Sequence, residues 1–184
     1  MFKKFIIVIL GVMCVTMVKP VKKASANNSK FITIETSQGN VIIETLPKIA
    51  PNHVKRIKEL VKKGFYDGII FHRVISGFMI QGGDPSGTGH GDYGKYPGYE
   101  FEDELNNQRP YEKGILAMAN RGPNTNGSQF FIMHQDYPLP YSYTIFGQVV
   151  DGFDIIDKIA SVETDSADKP TTDVVISTVE VTEN

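Results

Sequence analysis

The chain has a single cysteine and no tryptophan. The cysteine, Cys14, lies in an apolar run near the N-terminus. Beyond residue 26 there is therefore no thiol, which excludes disulfides, cysteine ligands to a metal and a cysteine nucleophile from that part of the chain. The fold there must be held together by packing, which a domain of about 150 residues can supply.

Long apolar runs are also absent. The longest, residues 5–18, has 14 residues, whereas a helix that spans a bilayer needs about 20. It follows two lysines and precedes the small residues 24–26 (ASA). This arrangement predicts a signal peptide over residues 1–26, with an uncleaved anchor as the alternative, followed by a short polar leader over 27–30. We therefore expect an exported protein, secreted or envelope-associated, whose only membrane contact is this segment.

Basic residues are scarce in the rest of the chain. The first 26 residues contain five lysines and no acidic residue, so the remainder has 14 basic and 21 acidic residues, a net charge of −7. Binding to nucleic acid requires a basic surface. Nucleic acid is therefore not an expected partner.

Short β-branched segments separated by turn-forming residues predict a mainly β domain over residues 31–184. A helix is predicted to open at Pro51 and stop at Gly64, and a second to cover residues 153–159. Many short strands with two isolated helices favour a closed β-barrel capped by helices. Both helices use their apolar faces against the barrel, so we expect a monomer. The candidate strands are residues 31–36, 40–45, 69–74, 78–81, 115–119, 129–133, 144–149 and 174–181.

Residues 71–84 (FHRVISGFMIQGGD) contain one arginine, Arg73, in an otherwise apolar stretch. A guanidinium in such surroundings needs hydrogen-bond partners or a pocket to face. The segment therefore predicts an apolar groove with one fixed cationic donor, which suits proline in a peptide: an apolar ring beside a carbonyl. His72, on the opposite side of the strand, is interpreted as a core histidine with satisfied hydrogen bonds.

Residues 114–133 (GILAMANRGPNTNGSQFFIM) predict two strands joined by a turn-forming loop. Gln129 and Phe131 alternate along the second strand and so share a face. The pair offers an amide beside an aromatic ring, although an ordinary hairpin with core aromatics gives the same pattern. The acidic residues of 100–104 are interpreted as a solvated loop.

Taken together, FHRVISGFMIQGGD and GILAMANRGPNTNGSQFFI resemble the cyclophilin family of peptidyl-prolyl cis/trans isomerases, over about residues 31–181. The resemblance implies an eight-stranded antiparallel barrel closed by two helices. It implies proline-containing peptides and folding exported proteins as partners, with no cofactor and no metal. Arg73 would be the catalytic residue, and the substrate-binding residues would be Phe78, Met79, Gln81, Asn120, Gln129, Phe131, Leu139 and Tyr143.

Two departures from the family pattern lie in residues 134–143 (HQDYPLPYSY). Tyr143 stands where many relatives have histidine, which keeps a flat ring with a polar tip. Pro138 stands near a position where relatives often carry tryptophan or phenylalanine, and a tryptophan there accompanies tight binding of cyclosporin. The sequence thus predicts weakened cyclosporin binding with catalysis retained.

Two other classes of function remain open at this point. A chaperone that holds proline-containing segments without catalysis would use the same groove, but it would need about one copy for each client. A metal-dependent hydrolase has little support in the residue spacing. Because Arg73, Gln81 and Phe131 are all present, the sequence favours the isomerase.

Overall fold

The computed structural model describes residues 30–91, 100–106 and 109–182. The predicted signal peptide and most of the polar leader lie outside these residues. Within the described ranges, none of the helices has the length and apolar character needed to cross a membrane.

Two helices and eight strands make up the described fold, so the prediction of a mainly β protein with two helices is confirmed. The largest difference lies in the predicted strand over residues 69–74. Only Ile70 forms a bridge there, and regular pairing begins at Arg73. The elements are β1 Phe31–Thr36, β2 Gly39–Thr45, α1 Pro51–Lys62, β3 Arg73–Ile75, β4 Met79–Gly82, β5 Ile115–Met118, β6 Phe130–Met133, β7 Ile145–Asp151, α2 Phe153–Ala160 and β8 Ile176–Thr182.

All eight strands belong to one antiparallel sheet, in the order β3-β4-β6-β5-β7-β2-β1-β8. The end strands β3 and β8 form no ladder with each other in the part of the chain described. A single bridge, from Ile70 to Val175, joins the segments that lead into them. Beside it, the Phe71 N–H donates to the Val174 carbonyl at 2.9 Å. Ile176 adds two more hydrogen bonds at 2.8 Å, donating its N–H to the Ile69 carbonyl and accepting the Gly68 N–H. The sheet is therefore curled, and the closure predicted from the sequence is limited to these few contacts.

Side chains of the sheet supply two separate apolar clusters, because successive residues of a strand point to opposite faces. The larger cluster contains Ile80 and Ile132 and is covered by the apolar faces of α1 and α2. The smaller cluster contains their strand neighbours Met79 and Phe131 and lies on the other face of the sheet. This second cluster forms the floor of the candidate site.

The N-terminus of α1 is capped by a side chain from a distant segment. Glu104 accepts the backbone N–H groups of Asn52 at 3.1 Å and His53 at 2.9 Å, and its Oε2 lies 2.7 Å from His53 Nδ1. A carboxylate at a helix N-terminus is favoured by the partial positive charge there. The interpretation of residues 100–104 as a merely solvated loop is therefore wrong, since Glu104 anchors α1.

The His53–Glu104 pair makes stability depend on pH. Burial lowers the pKa of His53 below its ordinary value of 6.5, although Glu104 acts to raise it. Burial alone would raise the pKa of Glu104, but hydrogen bonds from His53 and Asn52 hold it below the ordinary 4.5. The unfolded chain thus binds a proton at His53 more readily than the folded one. The folded state therefore loses stability as the pH falls below about 6.5, where His53 of the unfolded chain takes up a proton. The stabilisation that Glu104 contributes is lost only below about pH 4.5.

We expect His53→Phe to flatten this dependence. The side chain is fully buried between the rings of Phe101 and Phe146. The slope of unfolding free energy between about pH 6.5 and 5 should fall by up to about 1.4 kcal/mol per pH unit, the contribution of one proton. Denaturant titrations at several pH values measure it. The exposed His90→Gln serves as the control, and an unchanged slope in His53→Phe would contradict the assignment.

Candidate active site

Strand register places three predicted site residues in one row across the sheet. Arg73 of β3 lies opposite Gln81 of β4, which lies opposite Phe131 of β6. Directly paired residues of antiparallel strands share a face. Met79, two residues before Gln81, has its side chain on the same face. The row therefore brings a guanidinium, an amide, a thioether and a phenyl ring together on the outer face of the sheet.

These residues line a pocket of about 240 Å³. Eight of the nine residues predicted from the sequence line it; the ninth, Gln129, lies at an adjoining groove instead. Ala119 also lines the pocket and was not predicted, although its alternation with Ala117 along one strand face would have indicated it. The lining consists of Arg73, Phe78, Met79, Gln81, Ala119, Asn120, Phe131, Leu139 and Tyr143.

The apolar side of the pocket is rigidly packed. Met79 and Phe131 are buried, and the Tyr143 ring meets Phe131 edge-on, with centroids 5.5 Å apart. Beneath them Tyr111 is buried and tied to Tyr143 twice: its hydroxyl donates to the Tyr143 carbonyl at 2.8 Å and accepts the Tyr143 N–H at 3.1 Å. Tyr143 is thus fixed through its backbone as well as its ring.

The Arg73 side chain is 44% exposed; it lines the pocket and has a hydrogen-bond partner, as the sequence predicts for a guanidinium in an apolar segment. Phe71 and Val74 point into the larger core. The Nε–H of Arg73 donates to Asp168 Oδ2 at 3.3 Å. Its two terminal nitrogens have no partner in the described residues, so they can donate into the pocket.

The contact with Asp168 was not predicted from the sequence. Asp168 binds only the Nε–H of the Arg73 guanidinium. Its φ of 62° is a left-handed conformation that glycine and asparagine accept without strain. Because both partners are more than two-fifths exposed, the pair contributes at most about 1 kcal/mol.

We expect Asp168→Gly to lower kcat on a proline peptide by up to about five-fold, the equivalent of 1 kcal/mol, with little change in KM. The reason is that Arg73 would lose its orientation and keep its charge. An NMR exchange assay measures both constants. Asp168→Asn keeps an acceptor and should retain most of the activity; equal losses in both variants would contradict the positioning role.

A chain of hydrogen bonds fixes the amides at the polar end of the pocket. Gln81 Nε2 donates to Gln129 Oε1 at 3.0 Å, and Gln129 Nε2 donates to the Gly89 carbonyl at 3.2 Å. The loop that carries Gly89 is itself held by Asp84, which is 1% exposed and accepts N–H groups from residues 86, 88, 89 and 91. Burial would raise the pKa of Asp84, but these hydrogen bonds outweigh burial and lower it.

Asn120 uses its side chain to shape its own loop. Its Nδ2 donates to the Ser142 carbonyl at 2.8 Å, and its Oδ1 accepts the Gly122 N–H at 3.2 Å. Within the described chain its main-chain N–H and C=O make no hydrogen bond. They are therefore available to a bound peptide.

His72 is buried next to Arg73, but neither of its ring nitrogens has a hydrogen-bond partner among the residues that the structure describes. The prediction that His72 is a buried core residue is thus confirmed, whereas the prediction that its ring nitrogens are hydrogen-bonded is wrong. Burial lowers the pKa of His72, so the ring is uncharged at neutral pH. The described ranges contain no group of three or more metal-binding side chains.

Comparisons with known proteins agree with this geometry. Residues 31–181 match the family model described as cyclophilin type peptidyl-prolyl cis-trans isomerase/CLD. The human peptidyl-prolyl cis-trans isomerase-like 1 is 47% identical over 147 residues, which cover 79% of this chain and 88% of that protein. A Streptococcus pyogenes protein named as a bifunctional phosphatase/peptidyl-prolyl cis-trans isomerase is 44% identical over 82% of this chain, which spans only 38% of that relative.

Solved structures show the same fold. A crystal structure of a cyclophilin type isomerase from Cryptosporidium parvum superposes with a TM-score of 0.78 at 37% sequence identity, covering 85% of this chain and 99% of that one. A second structure of the same isomerase, in the presence of the dipeptide Ala-Pro, gives a TM-score of 0.77 at 37% identity, covering 84% of this chain and 99% of that one.

Proposed function

The chain belongs to the cyclophilin family of peptidyl-prolyl cis/trans isomerases and is such an enzyme; from this premise we propose that Arg73 carries the catalysis in the pocket that it lines. The observation that supports this most is the row Arg73–Gln81–Phe131. This row places a permanently charged donor beside an amide and an apolar floor. Such a combination can stabilise a twisted prolyl amide and bind the proline ring.

The reaction rotates an X–Pro amide against a barrier of about 18–20 kcal/mol. In the twisted state the proline nitrogen loses its conjugation and gains a lone pair. A donor fixed near that nitrogen binds the twisted state better than either planar isomer, and that difference lowers the barrier. No covalent bond forms or breaks, and no proton has to be transferred.

Arg73 suits this role because its charge does not titrate and its donors are arranged in a rigid fork. With Nε occupied by Asp168, one terminal nitrogen can donate toward the proline nitrogen and the other toward the proline carbonyl. The preceding residue of the peptide then pairs with the main-chain groups of Asn120.

The apolar residues of the pocket anchor the proline ring while the preceding residue rotates. Met79 and Phe131 provide the floor, and Phe78, Leu139 and Tyr143 the walls. By excluding water from one side of the amide they strengthen the field of Arg73. Gln81 and Gln129 flank the ring as fixed amides.

We further propose that the substrates are proline-containing segments of proteins folding outside the membrane. The support is the signal-peptide pattern of residues 1–26, which has lysines near its start, continues with a short apolar run and ends with small residues suited to cleavage. N-terminal sequencing of the protein recovered from outside the cytoplasm tests this. A chain that starts at Asn27 is expected, and an intact Met1 would contradict cleavage.

A refolding assay separates catalysis from holding of unfolded chains. Cis/trans exchange at X–Pro bonds takes tens to hundreds of seconds and can limit folding. We expect the protein to accelerate the proline-limited phase of a refolding substrate when present at about one copy per hundred substrate molecules, since an enzyme turns over. An effect seen only near equal concentrations would instead indicate the holding function.

Binding of cyclosporin should be weak while turnover is retained. The chain has no tryptophan, and Pro138 occupies the neighbourhood of the aromatic residue that accompanies tight binding in the family. Pro138→Trp should strengthen the binding of the drug, measured by calorimetric titration. Tight binding by the unchanged protein would contradict this prediction.

A further inference from the structure

We propose that the exposed rings of Tyr137 and Tyr141 form a second binding surface, called here the tyrosine rim, for an apolar side chain that follows the proline in a substrate. The proposal rests on the proposed function, because the rim borders the pocket that would bind proline. The expected occupant is an aromatic or large aliphatic side chain of the same peptide.

Exposure is what singles out these two residues. Among the residues that the structure describes, large apolar side chains are exposed at Tyr137, Tyr141, Val150 and Phe153. The exposed fractions are 45% for Tyr137 and 55% for Tyr141, and both lie in the loop that also supplies Leu139 and Tyr143 to the pocket. Exposed apolar side chains that cluster beside a pocket are typical of a binding surface.

Ring contacts make the rim continuous with the pocket. The Tyr137 ring lies 4.5 Å from the ring of Phe78, which lines the pocket. The Tyr141 ring stacks at 6.1 Å on Tyr111, which in turn packs against Phe131 in the floor. A peptide that fills the pocket therefore meets further aromatic surface as it leaves.

The backbone of the loop is already fixed in the free protein. The Tyr137 N–H donates to the Tyr111 carbonyl at 3.0 Å, and the Leu139 N–H donates to the Tyr137 carbonyl at 2.9 Å. Two prolines, Pro138 and Pro140, restrict the loop further. Tyrosine side chains on a preorganised loop provide contact area at a low entropic cost.

The two ends of the pocket differ in chemistry, and this assigns the direction of the peptide. Gln81 and Asn120 line both the pocket and the adjoining groove that contains Gln129, so the end that opens on this groove is polar, with amide and main-chain groups for the residue that precedes the proline. The other end is apolar, formed by Phe78 and Leu139. The chain after the proline therefore leaves over the apolar end, toward the rim.

The test compares two peptides that differ only after the proline, Ala-Ala-Pro-Phe-Gly and Ala-Ala-Pro-Gly-Gly. An aromatic contact in the rim should make kcat/KM of the unchanged protein about five- to ten-fold higher for the Phe peptide, the scale of an aromatic pair. Tyr137→Ser combined with Tyr141→Ser should remove this preference, so that the double variant isomerises the two peptides at about equal rates. NMR exchange measurements give both rates.

Val150→Ser is the matched control, because Val150 is 43% exposed on β7 and does not line the pocket; it should keep the preference. Equal rates on both peptides in the unchanged protein, or a preference retained in the double variant, would overturn the proposal. If the double variant does not fold, Tyr141→Ser alone must reduce the preference. Absence of isomerisation on both peptides would instead contradict the proposed function.

Discussion

Replacing Arg73 with alanine should reduce kcat/KM on an X–Pro peptide by roughly 10²–10³-fold, the usual loss for one preorganised donor aimed at the transition state. The fold should remain intact, because the side chain is 44% exposed and its pair with Asp168 is worth at most about 1 kcal/mol. A protease-coupled isomerisation assay measures the loss, and thermal unfolding checks the fold.

Arg73→Lys is the informative companion variant. It keeps the charge but replaces the planar fork with a single ammonium group, which cannot donate to Asp168 and to two peptide atoms in the same geometry. We expect a substantial loss here as well. If Arg73→Lys were nearly as active as the unchanged protein, the positive charge alone would be sufficient for catalysis. Unchanged turnover in Arg73→Ala would refute the catalytic assignment.

Replacing Asp84 with alanine should have the largest effect on stability. Asp84 is buried and accepts four backbone N–H groups and the Ser86 hydroxyl, all in the loop that carries Gly89. Without Asp84 these donors would bind water or have no hydrogen-bond partner, so we expect the free energy of unfolding to fall by about 2–4 kcal/mol. Denaturant unfolding measures the change.

The same substitution should lower kcat/KM by roughly ten-fold, because Gly89 positions Gln129 and, through it, Gln81. Asp84→Asn should lower stability and kcat/KM similarly, because the amide N–H₂ of asparagine would face the N–H donors of the loop. The exposed Asp173→Ala is the matched control for removing a carboxylate. Near-normal stability in Asp84→Ala would contradict the anchoring role.

Local sequence patterns were sufficient for most of the elements and for an apolar groove with Arg73 in it. Arg73, Gln81 and Phe131 lie in strands whose alternation can be followed in the sequence, and antiparallel pairing then places them in one row. The family resemblance supplied the roles of the substrate-binding residues, including Asn120, Leu139 and Tyr143, which come from irregular loops. The helix that begins at Pro51 was predictable from its period and its Gly64 stop.

Contacts between distant residues were not predictable in this way. Asp168 reaches Arg73 across 95 residues, and Glu104 caps α1 across 51. Each of these acidic residues has a charged neighbour in the sequence, Asp103 beside Glu104 and Lys169 beside Asp168, so the local pattern indicates only a solvated loop. The partial closure of the sheet likewise depends on how Ile70 meets Val175, which no local pattern encodes.

The central claim is that Arg73 binds the twisted amide more tightly than the planar peptide. NMR exchange at saturating peptide tests it directly, since it measures the affinity for the peptide and the cis/trans rate of the bound peptide separately. For Arg73→Ala the account predicts an affinity within a few-fold of the unchanged protein and a bound-state rate about a hundred-fold lower. A comparable fall in affinity with an unchanged bound-state rate would contradict it.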